Sequence, residues 1–108
     1  STYTAMDILS NINGFEWDKG NIAKNWKKHG VAHTECEEVF FNNPSIVKND
    51  VTHSTTEVCY YVLGKSNSHR RLFLVFTVRN TKIRVISARD MSKEEREIYA
   101  KAEKDTEF

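Results

Sequence analysis

Between Glu57 and Arg89 the chain reads as three period-two segments separated by turns, a pattern that constrains the fold more than any other feature. Glu57–Lys65 and Arg71–Arg79 flank a Ser-Asn-Ser turn region, and Asn80-Thr81 joins the second segment to Lys82–Arg89. Connections this short close antiparallel hairpins, so the three strands are expected to form a meander. In Arg71–Arg79 the even positions Leu72, Leu74, Phe76 and Val78 are all apolar and must face helices. The odd positions Arg71, Phe73, Val75, Thr77 and Arg79 give the opposite face an apolar centre with polar and basic ends. Arg84 and Arg89 differ in parity, so a regular strand puts them on opposite faces. They converge only if a bulge lies near Ile86-Ser87-Ala88 or Arg89 already belongs to the following turn. The structural alternative is that Arg89 simply pairs with Glu94 or Glu95.

The rest of the chain supplies helices and a first strand. Phe15-Glu16-Trp17 alternates like a short strand. Asp18 is placed to cap a helix running to about His29, with Ile22, Ala23 and Trp26 as its apolar stripe and Gly30 as its left-handed end. Thr34 and Glu37 match a capping box for a second helix with Cys36, Val39 and Phe40 inward. Asn42-Asn43-Pro44 is turn chemistry, Ser45–Asn49 a weak strand and Asp50–Thr56 a polar loop. Ser92 and Glu95 form another capping box, opening a helix to about Lys104. The expected fold is α+β, an antiparallel β-sheet with two N-terminal helices and one C-terminal helix packed against it. Residues 1–13 read as an N-terminal arm and 14–108 as a single domain, since 108 residues do not support two cores.

Charge is unevenly distributed. The net charge is only +1, yet Lys65 to Arg89 holds seven Lys/Arg and no Asp or Glu. Such a segment attracts phosphate whatever the net charge, or it forms the solvated faces of ordinary strands. No apolar run approaches the roughly 20 residues of a membrane span, and the opening residues lack the apolar core of a secretory signal. Cys36 and Cys59 have no CxxC partners and read as buried free thiols of a reducing compartment. His29 and His33 stand four apart, but Gly30 and Val31 interrupt any shared helix, so no metal site and no cofactor are expected.

Cleaving RNA through its own 2′-hydroxyl needs a base, an acid and fixed cations on the phosphate. Guanidinium forks suit the last role, which makes Arg79, Arg84 and Arg89 the candidates. His29, His53, Glu57, Tyr99 and Lys28 are the acid/base options, and no two of them stand at a diagnostic spacing. His29 sits where a helix C-cap would, and Tyr99 belongs either to a helix-surface network or beside the basic sheet.

Three blocks in order carry a family resemblance. The first is Gly14-Phe15, Trp17-Asp18, Asn25, Lys28-His29-Gly30-Val31 and Val39-Phe40. The second is Asp50, His53-Ser54, Glu57 and Gly64. The third is Thr77, Arg79, Arg84, Ile86-Ser87-Ala88-Arg89, Glu95-Arg96 and Tyr99. Over Gly14 to Tyr99 the chain resembles the BrnT toxins, ribonucleases of bacterial type II toxin–antitoxin systems with a RelE-like fold. It departs from the pattern at Asn21, His33, Asn43, Val58 and Asn80, where the family favours Lys, Phe, Asp, Arg and Gly. The resemblance implies a cytoplasmic, metal-independent endoribonuclease that inhibits translation. A cognate BrnA-like ribbon-helix-helix antitoxin would hold it inactive, cover the basic face and carry the operator DNA binding, with no membrane involved. It implies catalytic roles for Arg79, Arg84, Arg89, His29 and Tyr99, and substrate contacts from Lys24, Lys28, Arg71, Thr77 and Ser87. Lys65, Arg70 and Lys82 are left as general electrostatics. The departures at Asn21 and Val58 motivate the alternative, a non-catalytic relic or binding module whose basic face only engages a protein partner or nucleic acid.

Overall fold

The computed structural model describes residues 11–50 and 57–105; most of the expected arm, and His53 with Ser54, lie outside the described residues. The elements are β1 (Gly14–Glu16), α1 (Lys19–His29), α2 (His33–Phe41), β2 (Ile46–Asn49), β3 (Cys59–Lys65), β4 (Arg71–Arg79), β5 (Lys82–Asp90) and α3 (Lys93–Asp105). The α+β order matches the sequence reading. The antiparallel sheet does not: the strand order is β1-β5-β4-β3-β2, and β1 runs parallel to β5, making the sheet mixed. Almost the whole domain separates these two strands in sequence, so no hairpin turn dictates their relative direction. β1 takes the open edge of β5 with Phe15 turned inward, its ring 5.6 Å from that of Phe40.

β3, β4 and β5 form the expected meander. Asn80 and Thr81 both take positive φ, 51° and 66°, as a two-residue turn matched to the strand twist requires. The even face of β4 packs with α2: Leu72, Leu74 and Phe76 join Val31, Cys36, Val39, Val62, Ile83, Val85 and Ala88 in the main core. A smaller cluster of Leu63, Met91 and Tyr99, with Ile46 and Phe73 against it, lies under α3 on the opposite face. Cys36 and Cys59 are both buried, and burial pushes the Cys36 thiol up to about 12.

Gly64 marks the closest approach of α2 to the sheet, because a Cβ there would sit 2.5 Å from Cγ1 of Val39. Gly64→Ala is therefore expected to lower stability by about 1–3 kcal/mol, the range for overpacking a filled core. The urea midpoint checks it, and an unchanged midpoint would mean that α2 yields freely.

Two local expectations are corrected. In α1 the inward residues are Asn21, Ile22 and Asn25, while Trp26 is 63% exposed and Ala23 is also outside. The cause is the edge that α1 covers. β1 pairs only with Lys82–Arg84, so the β5 carbonyls beyond it need donors. Asn21 Nδ2 reaches the Val85 carbonyl at 3.4 Å and Lys24 Nζ the Ile86 carbonyl at 3.1 Å. Polar groups thus take the place that a hydrophobic stripe would occupy. In α2 the N-cap is Ala32, not Thr34, and Glu35 rather than Glu37 accepts the cap N–H at 3.2 Å. Glu37 instead accepts from Trp17 Nε1 at 2.8 Å. Gly30 ends α1 at φ 62° as expected.

Candidate functional site

The ladder between β4 and β5 shifts register between Val75 and Phe76: Val75 faces Ser87 but Phe76 faces Val85, leaving Ile86 as the extra residue. Residues opposite one another share a face. Arg84 lies opposite Thr77, Arg89 opposite Phe73, and Lys82 opposite Arg79. The bulge at Ile86 therefore resets the parity and brings Arg84 and Arg89 to the face that carries Arg71, Thr77, Arg79 and Ser87.

Sharing a face is not sharing a site. Arg79 and Arg84 are diagonal neighbours, a relation that places Cα atoms about 7–8 Å apart. Arg89 is four ladder positions farther along, about 13 Å at the strand rise. The face thus has two basic centres, an Arg79–Arg84 pair near the β4–β5 turn and Arg89 towards α3.

Each centre is wrapped in carboxylates from outside the acid-free segment. Arg79 makes a fork to Glu57, at 2.9 and 2.7 Å. Arg84 bridges Glu16 at 3.2 Å and Asp18 at 2.8 Å. Arg89 forks to Glu95 at 2.7 and 2.9 Å, with its guanidinium 4.1 Å from the Phe73 ring centre. Arg71 and Lys65 share Glu103, at 2.8 and 3.2 Å. The Arg79 hydrogen bonds hold the Glu57 carboxyl below its ordinary range, with further help from the charge of Arg84. Arg89 does the same for Glu95, and the Asn21 backbone N–H followed by Arg84 does so for Asp18. All three are charged acceptors at neutral pH. The structural alternative for Arg89, pairing with Glu95, is the one realised, and the Ser92–Glu95 capping box exists as well, at 2.8 and 3.2 Å.

The remaining candidates scatter. His29 and Lys28 lie exposed in the last turn of α1, about 16 Å of helix from Asp18, which holds Arg84. Lys24 lies between, over the bulge. Ser87 is half-buried at the middle of the face, and Arg71 lies at its far end. Thr77 is buried, its hydroxyl donating to the Val58 carbonyl at 2.8 Å. Tyr99 is wholly buried, and its hydroxyl donates to the Pro44 carbonyl at 2.8 Å. Arg70, expected to add only general charge, is a brace: it forks to Asp90 at 2.8 and 3.0 Å and donates to the His29 and Gly30 carbonyls that end α1. Apart from Glu95, the sequence reading missed the carboxylates as arginine partners. Glu16 and Asp18 alternate across Trp17 next to a strand, and that was their only signal.

Among the described residues no group of three or more His, Cys, Asp or Glu is arranged to hold a metal ion, and no helix is long and apolar enough to cross a membrane. The model for the family described as ribonuclease toxin, BrnT, of type II toxin–antitoxin system matches residues 17–95. The chain belongs to the BrnT family. The match spans α1 through the first turn of α3, and so includes both basic centres. As a toxin of a type II pair, a BrnT protein implies an antitoxin partner. No curated protein matches the chain.

Proposed function

We propose that this BrnT chain is a metal-independent, RelE-like endoribonuclease whose reaction centre is the Arg79–Arg84 pair. The observation that carries the reading is the diagonal placement of these two guanidinium groups on one face, with the Glu57 carboxylate in contact with the first. Two forks so spaced can grip one phosphate and stabilise the charge that builds on it. Exposed ion pairs are weak, so a phosphate can take the place of the carboxylates now facing the arginines. Glu57, displaced from Arg79 but still beside it, is then a base for the 2′-hydroxyl. The freed 2′-oxygen attacks phosphorus, the bond to the 5′-oxygen breaks, and that oxygen takes its proton from solvent water. The products are a 2′,3′-cyclic phosphate and a 5′-hydroxyl. Cutting messages in this way inhibits translation, and a BrnA-like antitoxin that covers the face prevents it.

Incubating the purified chain with RNA in EDTA is expected to give fragments with 2′,3′-cyclic phosphate ends. Intact RNA would sink the reading. The complete pairing of the arginines with carboxylates favours a second reading, a face that only engages a partner. It predicts unimpaired growth when the chain is expressed without an antitoxin, whereas a ribonuclease arrests growth.

A further inference from the structure

The bulge at Ile86 does more than align the arginines. It completes a row of four side chains running across the sheet on one face. Lys48 on β2 lies opposite Tyr61 on β3, and Phe73 on β4 lies opposite Arg89 on β5. Tyr61 and Phe73 join the two halves: their rings stack with centroids 5.5 Å apart and planes 26° from parallel. Arg89 lies over the Phe73 ring from the β5 side, at 4.1 Å. The order is cation, aromatic, aromatic, cation.

The two ends of this row differ. Arg89 is held by Glu95, and the Phe73 ring is flanked by Tyr61 and Arg89. At the other end, among the described residues the Tyr61 ring stacks on Phe73 only, and the residue opposite it on the edge strand β2 is Lys48. Tyr61 is half-buried, and its hydroxyl makes no hydrogen bond to another described residue. Lys48, its neighbour there, is exposed and has no carboxylate partner among the described residues. α3 covers the adjoining stretch of this face, over Ile46 and Leu63, so the row marks where the covered part ends.

We infer that Tyr61 and Lys48 form a nucleobase subsite for single-stranded RNA: the base extends the Tyr61–Phe73 stack, and the neighbouring phosphate meets Lys48. An aromatic face beside an unpaired cation is the combination by which proteins hold unpaired strands, since every base offers a π-face and every nucleotide a charge. Strand geometry puts Tyr61 about 12 Å from Arg84 between Cα atoms, a distance suited to a nucleotide near the one being cut. A duplex, with its bases already stacked, cannot use this site. The inference rests on RNA being the substrate, and its test avoids cleavage.

The probe is a short fluorescent 2′-O-methyl RNA strand, which lacks the attacking hydroxyl, with binding read by anisotropy on the full chain. Tyr61→Ala and the bulkier Tyr61→Leu are both expected to weaken binding at least roughly fivefold, the lower end for loss of one stacked base. Tyr61→Phe keeps the ring and should bind as the wild type does. An abasic version of the strand should show no difference between wild type and Tyr61→Leu, and Lys48→Gln should flatten the salt dependence. Equal affinity for wild type and Tyr61→Leu, an equal loss on the abasic strand, or no strand binding by the wild type overturns the subsite. So does a Tyr61→Leu chain that binds the strand normally but loses its antitoxin, since that face then serves the protein partner. Tyr61-dependent binding in a chain that cuts no RNA upholds the subsite and removes the cleavage reading; cleavage with Tyr61-independent binding does the reverse.

Discussion

Arg84→Ala is expected to slow RNA cleavage by about 10²–10³-fold, the cost of removing one preorganised donor from a developing charge. Arg79→Ala should fall in the same range. The double variant should lose much less than the product of the two, because both forks act on one phosphate. Arg84→Lys keeps the charge and loses the fork, so it should fall between wild type and alanine. Arg89→Ala is the contrast. Its backbone lies about 13 Å along the sheet from that of Arg84 by the strand rise, and its guanidinium already engages Glu95 and Phe73. Its loss should raise KM and leave kcat near the wild-type value. Initial rates at saturating RNA in EDTA separate these cases, with thermal melts showing that each variant folds. Equal losses of kcat for Arg84→Ala and Arg89→Ala would move the scissile phosphate to the middle of the face and dissolve the two-centre description.

That description was only half legible in the sequence. Parity in β4 and β5 showed that Arg84 and Arg89 needed an irregularity to converge, and the bulge at Ile86 is that irregularity. The meander, the left-handed Gly30 and the Ser92–Glu95 box were legible because each rests on neighbours within a few residues. What failed depends on contacts remote in sequence. β1 pairs parallel with a strand nearly seventy residues away, and α1 turns Asn25 inward and Trp26 outward because of the β5 edge it covers. The acid-free segment misled in the same way. Apart from the Glu95 open to Arg89, its charge looked unopposed in the sequence, yet Glu16, Asp18, Glu57 and Glu103 return to it through the fold. A charge run says what a segment carries; only tertiary structure says what faces it.

Tyr99 separates packing from chemistry in a single side chain. The resemblance suggests a catalytic phenol, but the ring fills the space under α3 and its hydroxyl donates to Pro44. Tyr99→Ala is therefore expected to cost about 3–5 kcal/mol, as truncation of a buried large aromatic does. Tyr99→Phe should cost only about 1 kcal/mol, the worth of one hydrogen bond, and leave the cleavage rate unchanged. The pH dependence sharpens the test. Burial, and then the Glu103 charge, push the phenol from 10.0 up to about 12. Because the folded value lies above the unfolded one, the stability this group confers is fully present below pH 10 and is lost as pH rises through about 12. Phenylalanine cannot ionise in either state, so Tyr99→Phe should unfold less steeply over that interval. Urea midpoints at a series of alkaline pH values measure the difference. A Tyr99→Phe chain that keeps its stability but stops cutting RNA would mean that the phenol reaches the substrate, and the packing under α3 would have to open to let it.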